Sequence, residues 1–224
     1  LSSDVLTQRT HRSFTEGIPD QLDQVRARIS EASNADDREE LAAALRIQEA
    51  HWEALQETKP TPPNVTYSDT MRLVKGGREV QLHFPGPGHT GGDTLVFLPE
   101  ERIVFTGDFF VGRPGGHSLP YMGDGYVEEW PASLDGLKAL EFDTMVPGHG
   151  LPFREREQID HLQALLRDLN RQVTALYAEG VSVQEAIGRV DLSPHVQHYG
   201  QQVASADPRT VVRMYERLQV KMPR

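Results

Sequence analysis

Apolar residues recur at helical spacing near both ends of this chain and gather in short runs between them. From residue 20 to 57, Leu22, Val25 and Ile29, then Leu41, Leu45, Trp52 and Leu55, fall at steps that predict helix. Asn34, Asp36 and Asp37 supply cap chemistry where a second helical stretch starts. Lys59-Pro60-Thr61-Pro62-Pro63 then stops any helix. "MRLVKGGREVQLHF" reads as a hairpin around Gly76-Gly77, and "TLVFLPEERIVFTGD" as a second pair of runs, rich enough in Val, Ile, Leu and Phe to be buried strands. Pro131 to Leu140 predicts a short helix, and "FDTMVPGHG" a short strand entering a tight loop. Residues 156 to 178 place Ile159, Leu162, Leu166, Leu169, Val173 and Leu176 on one helical face, with Gly180 as the stop. Two shorter helices follow, near 183–190 and 208–220. No internal repeat interrupts this order, which excludes an all-helical protein and leaves α/β or α+β.

Composition narrows the functions available. The 224 residues carry 33 acidic and 23 basic side chains, a formal charge of −10, with no basic stripe for nucleic acid. No apolar run is long enough to predict a membrane-spanning helix. There is no cysteine, so any transition metal here depends on His, Asp or Glu. The compartment stays open.

Three loops, each at the end of a predicted strand, hold the chemistry. "FPGPGHTGGD" presents His89 among glycines that let the backbone come close to a ligand. "FTGD" ends a strand on Asp108, a carboxylate that is costly to bury without a cation or hydrogen bonds. "VPGHG" presents His149 between glycines. Taken singly, each is more often a turn, cap or surface residue; the signal is their conjunction and order. Two imidazoles and a carboxylate suit zinc, manganese or iron.

At these residues the chain resembles the metallo-β-lactamase superfamily, in its glyoxalase II and lactonase type. That family runs from a His-x-His-x-Asp-His motif to a Gly-His-Thr loop, a Thr-Gly-Asp strand end and a Gly-His loop; the last three correspond here to His89, Asp108 and His149. "LPEERIVFTGDFF" and "EWPASLDGLKALEFDTMVPGHG" look like the family's intervening segments, so the likeness is strong over about residues 70 to 152. It implies an α/β fold, the second half of an αββα sandwich with added helices. Residues 1–63 would be the helical segment after the first motif, 64–152 the β-rich half bearing the metal site, and 153–224 a helical region of the same domain. It implies two zinc ions, with manganese or iron as substitutes. Here His89 would serve one, His149 the other, and Asp108 would bridge both as the catalytic carboxylate. The metals would activate a water against the ester, thioester, lactone or β-lactam bond of a small-molecule substrate. The bridging Asp points away from the true β-lactamases, which place Cys or Ser there.

The first motif is not among these 224 residues: no two of the nine histidines stand two apart. An incomplete sequence, a truncated or processed chain, a second chain donating the missing ligands, and an inactive half-fold are the competing readings, in that order. A half-fold would expose a sheet edge and an apolar sheet face, so self-association into a homo-oligomer is expected. Further candidates lie in the glycine-rich stretch 109–129: Phe110, His117 and Tyr121 for substrate contact, or as anchors of a plain surface loop. Asp93 is a candidate to orient the His89 ring from behind, or merely a turn residue. Trp52 and Trp130 look like core or interface anchors. Two other classes compete with a metallohydrolase: a non-catalytic interaction module that keeps the fold, and a mononuclear iron enzyme, which lacks the usual close His-x-Asp pair.

Overall fold

The structure, a computed structural model, describes residue 15 and residues 17–59, 61–112 and 119–221. The chain divides into two compact units, residues 1–66 and 67–224.

In the first unit, α1 (Ile18–Glu31) and α2 (Ala35–Glu57) form a helical hairpin. The Asn34 side chain accepts from the Asp36 backbone N–H and opens α2, satisfying one of the donors that every helix start leaves free. Arg26 joins the two helices through Glu49 at 2.6 Å. Leu22 is buried, whereas α2 buries no residue.

The second unit is built on a five-stranded sheet: β1 (Thr70–Lys75), β2 (Arg78–His83), β3 (Leu95–Leu98), β4 (Ile103–Gly107) and β5 (Thr144–Pro147), in that order across the sheet. The β1–β2 turn is Gly76-Gly77, both at positive φ, where only glycine is unstrained. The first four strands are antiparallel, and β5 joins β4 in parallel after a crossover that contains α3 (Trp130–Lys138). It follows that β2, β4 and β5 run the same way, so the loops leaving them emerge at one edge of the sheet.

Side chains alternate across a strand, so the register sorts them into two faces. Leu95 and Phe97, Val104 and Thr106, and Met145 and Pro147 are buried on one. There they meet Trp130, Leu134 and Leu137 of α3 and the stripe Ile159, Leu162, Leu166, Leu169 and Val173 of α4 (Glu157–Ala178). Gln163 is buried among them and satisfied: its amide donates to Pro131 O at 2.6 Å and Asp135 Oδ1 at 2.8 Å. Arg156 reaches back to the Lys138, Leu140 and Phe142 carbonyls, where α3 ends, with its guanidinium 4.0 Å above the Phe142 ring. Next come α5 (Val183–Arg189), capped by Ser182, then a short helical passage with α6 (Val196–Tyr199) at its centre, and α7 (Pro208–Lys221).

The opposite sheet face is just as apolar but is only partly covered. Met71 and Leu73, Val80 and Leu82, Val96 and Leu98, Ile103 and Phe105, and Val146 share it by register, and none of them is buried. Phe105 is 39% and Leu73 48% exposed, so the expectation that the Val-, Ile- and Phe-rich runs are buried strands holds on one face only. No helix among the described residues is long and apolar enough to cross a membrane.

A partly open apolar face favours association. The 224-residue chain is expected to run above monomer mass in light scattering, and the pair Leu73→Ser with Phe105→Ser to shift it towards monomer. A clean monomer from the unsubstituted chain contradicts this.

Candidate metal centre

The three loops at the common sheet edge carry His89, Asp108 and His149, and each is held in place by a glycine. β4 ends with a register irregularity between Phe105 and Gly107, and Gly107, at φ 52°, turns the chain so that Asp108 leaves the sheet. The Gly148 N–H donates to Gly107 O at 2.8 Å, which draws the end of β5 onto the end of β4. A Cβ on Gly148 would overlap Asp108 Oδ1 and stand 2.5 Å from the Gly107 carbonyl carbon. With none there, His149 Nε2 comes to 3.3 Å from Asp108 Oδ1. The two side chains are 71% and 36% exposed, open enough for a cation or substrate to reach.

The His89 loop lies on α3. The Ser133 hydroxyl donates to Pro87 O at 2.7 Å, and a Cβ on Gly86, at φ 118°, would stand 2.5 Å from that hydroxyl. Gly88 is pressed between the Phe109 ring and the Trp130 indole, which a Cβ would approach to 2.6 and 2.9 Å. Trp130 is fully buried; its indole N–H donates to Phe109 O at 3.2 Å, and its ring meets His89 edge-on at 6.2 Å. One tryptophan therefore fixes both the residue after Asp108 and the ring of His89. Tyr126 closes the far side, with its N–H on Gly88 O at 2.8 Å.

Asp93 accepts from the Thr90 N–H at 3.0 Å and from the Thr90 hydroxyl at 2.9 Å. It pins the loop backbone one residue beyond His89, which is the role of a turn residue. Burial pushes its carboxyl above the usual range, and the Thr90 hydrogen bonds and nearby His89 oppose the shift.

Two imidazoles and a carboxylate at one edge are a donor set suited to zinc. The Asp108–His149 pair is the convergent part. Among the described residues no three His, Asp or Glu side chains stand close enough to enclose a metal ion, so these three fit part of a centre rather than a closed one.

The substrate-contact candidates separate. Phe110 is 2% exposed and packs on Phe153 at 5.7 Å, which makes it a core anchor and not a pocket wall. Tyr121 is 42% exposed under the Arg209 guanidinium at 4.8 Å. His117 lies outside the described residues. Sequence reasoning had marked Trp130 as an anchor without linking it to the site, and it missed Tyr126 and Ser133. Their connection to the His89 loop runs through backbone atoms, for which no sequence signal exists.

The profile of the metallo-β-lactamase superfamily matches residues 27–149. The chain belongs to that superfamily. Within it, the chain is 29% identical over 144 residues to a linear primary-alkylsulfatase of Pseudomonas sp., across 61% of this chain and 27% of that protein. It is 43% identical over 61 residues to a metallo-beta-lactamase type 2 of Pseudomonas aeruginosa, across 27% of this chain and 22% of that protein. It spans about a quarter of the length of these curated relatives. In fold it is similar to the inverting sec-alkylsulfatase Pisa1 of Pseudomonas sp. (TM-score 0.56, 16% identity, 71% of this chain and 27% of that one).

Alanine at position 148 of this superfamily member must displace Asp108 or the Gly107 backbone, an overpacking cost of about 1–3 kcal/mol. Gly148→Ala is therefore expected to melt several degrees lower, whereas Gly92→Ala in the His89 loop, with open space around its Cβ, is expected to melt with the parent. Equal melting points for the two variants contradict this packing.

Proposed function

We propose that this chain contributes to a metal-dependent hydrolase of ester-type bonds in small molecules, with alkyl sulfate esters as the leading substrate class. The observation that carries the reading is the gathering of His89, Asp108 and His149 at one sheet edge, with Asp108 and His149 3.3 Å apart. His89 and His149 would hold zinc through their imidazoles, and Asp108, with two carboxylate oxygens, would be shared between ions. Zinc, when bound, supplies Lewis acidity towards the substrate oxygen and the attacking water. The protein's part is positional: Trp130 and Asp93 keep the His89 loop stiff, and the Gly107–Gly148 hydrogen bond keeps Asp108 beside His149. Manganese or iron would suit the same donors.

The choice of bond rests on likeness. The resemblance read from the sequence pointed to ester, thioester, lactone or β-lactam bonds, with the glyoxalase II and lactonase type foremost. The similarity to a linear primary-alkylsulfatase over 61% of the chain supports sulfate esters. β-Lactam hydrolysis is the second reading, supported by the 43% identity over 61 residues.

In the test, zinc-loaded protein is given dodecyl sulfate and, separately, a chromogenic cephalosporin. Sulfate release is expected once the ligand set that these three residues fill only in part is complete. Asp108→Ala is expected to lower it by more than the roughly 10- to 100-fold that loss of a residue behind the metal ligands costs. Turnover of the cephalosporin alone would move the reading to β-lactams. Undiminished turnover in Asp108→Ala would remove Asp108 from the chemistry, and failure to retain zinc would favour an interaction module.

A further inference from the structure

Away from the sheet edge, three histidines line one seam between helices. His161 and Asp168 lie on α4, with Leu165 between them on the same face. Across from them, the short helical passage presents His195, His198 and Tyr199. The His161 and His198 rings stack, with centroids 3.6 Å apart and planes 22° from parallel. Leu165 packs with Tyr199 and Val203 beneath the stack. At the other end of the seam, His195 Nε2 stands 3.1 Å from Asp168 Oδ2. His161 Nδ1 is buried and has no hydrogen-bond partner.

We propose that this seam is an acid-sensitive latch: protonation of His198 against the stacked His161 ring releases residues 196–203 from α4, while His195 and Asp168 remain as the pivot.

The charges around the seam set both its direction and its extent. Two imidazoles in face contact pack well while neutral, and an added proton places a cation against the partner ring and a buried, unpartnered nitrogen. The other groups facing His198 are His195, itself basic, and the amide of Gln197, whose Nε2 is 3.1 Å from His198 Nε2. On α4, the carboxylate of Asp168 is already engaged by Arg171 and His195, and Asp160 is held by Lys138 at 2.5 Å. The buried Tyr199 phenol stays neutral, because burial pushes its ionisation up. Burial, then His161 and His195, hold the His198 imidazole below the ordinary histidine range. A group lowered in the docked state supports docking above its undocked value and loses that support as pH falls through the docked one. Docking is therefore complete above about pH 6.5 and fades below it. His195 keeps its contact with Asp168, and so the release stops short of residue 195. The freed stretch includes Val203, which with Leu119, Tyr121, Leu169 and Leu192 lines a cavity of about 280 Å³, so acid would also open that cavity.

Amide hydrogen exchange, corrected for intrinsic rates and compared at about pH 7.5 and pH 5, reads the latch directly. Exchange over 196–203 is expected to rise about tenfold or more in acid, with 191–195 unchanged. His198→Phe keeps a stacked ring without a proton site, and the acid response is expected to vanish; His161→Phe serves as the second variant should the first misfold. An NMR titration of the His198 ring protons is expected to show a midpoint below the usual histidine value. Exchange that does not depend on pH, a response spread evenly over 191–203, or one that persists in both folded Phe variants would overturn the proposal.

Discussion

The approach of Gly148 to Gly107 is the constraint on which the candidate centre depends. A parallel neighbour strand ends beside β4 only because a crossover through α3 returns the chain on the same side, and the Gly148 N–H closes on Gly107 O at 2.8 Å only because no Cβ intervenes. Once that contact is made, Asp108 and His149 must lie side by side. β2, running in the same direction two strands away, delivers the third loop to the same edge. The site is thus a property of strand direction first and of side chains second, as is common where ligands bind at the carboxyl ends of strands.

The two sheet faces divide the remaining work. One is sealed by α3 and α4, and that layer is also what orients the loops: Ser133 holds Pro87, and Trp130 stands between Gly88, His89 and Phe109. Loss of the α3 packing would therefore loosen His89 before it touched the strands. The other face is apolar and only partly covered, with Phe105 and Leu73 exposed on it, while the donor set at the adjoining edge fits only part of a metal centre.

Much of this was legible in the sequence, and the reasons are local. The α4 stripe from Ile159 to Val173 repeats at steps of three and four, and every member is buried. The glycines at 76 and 77 announced their hairpin, and the order of His89, Asp108 and His149 announced the family. Burial state was harder to read. A strand of Val, Ile and Phe has the same composition whether one face or both are covered, so the exposure of Phe105 could not be inferred. Phe110 looked like a pocket residue from its place after Asp108, yet it turns to Phe153, because direction after a turn depends on packing. The helical passage at 193–203 was missed for a related reason: its segments are too short to show a period, and it is held by His198 on His161 and by Tyr199 and Val203 on Leu165, partners more than thirty residues away.

The account's central claim is that the three loops serve one two-metal centre, with Asp108 shared between the ions that His89 and His149 would hold. Zinc affinity, measured by competition with a chromophoric chelator on the parent and on His89→Ala, Asp108→Ala and His149→Ala, tests it most directly. The account predicts that each substitution weakens zinc binding by about tenfold or more, and that Asp108→Ala, which removes the shared ligand, weakens it most. Parent-like affinity in Asp108→Ala, or in either histidine variant, would mean that the loops share an edge but not a metal centre.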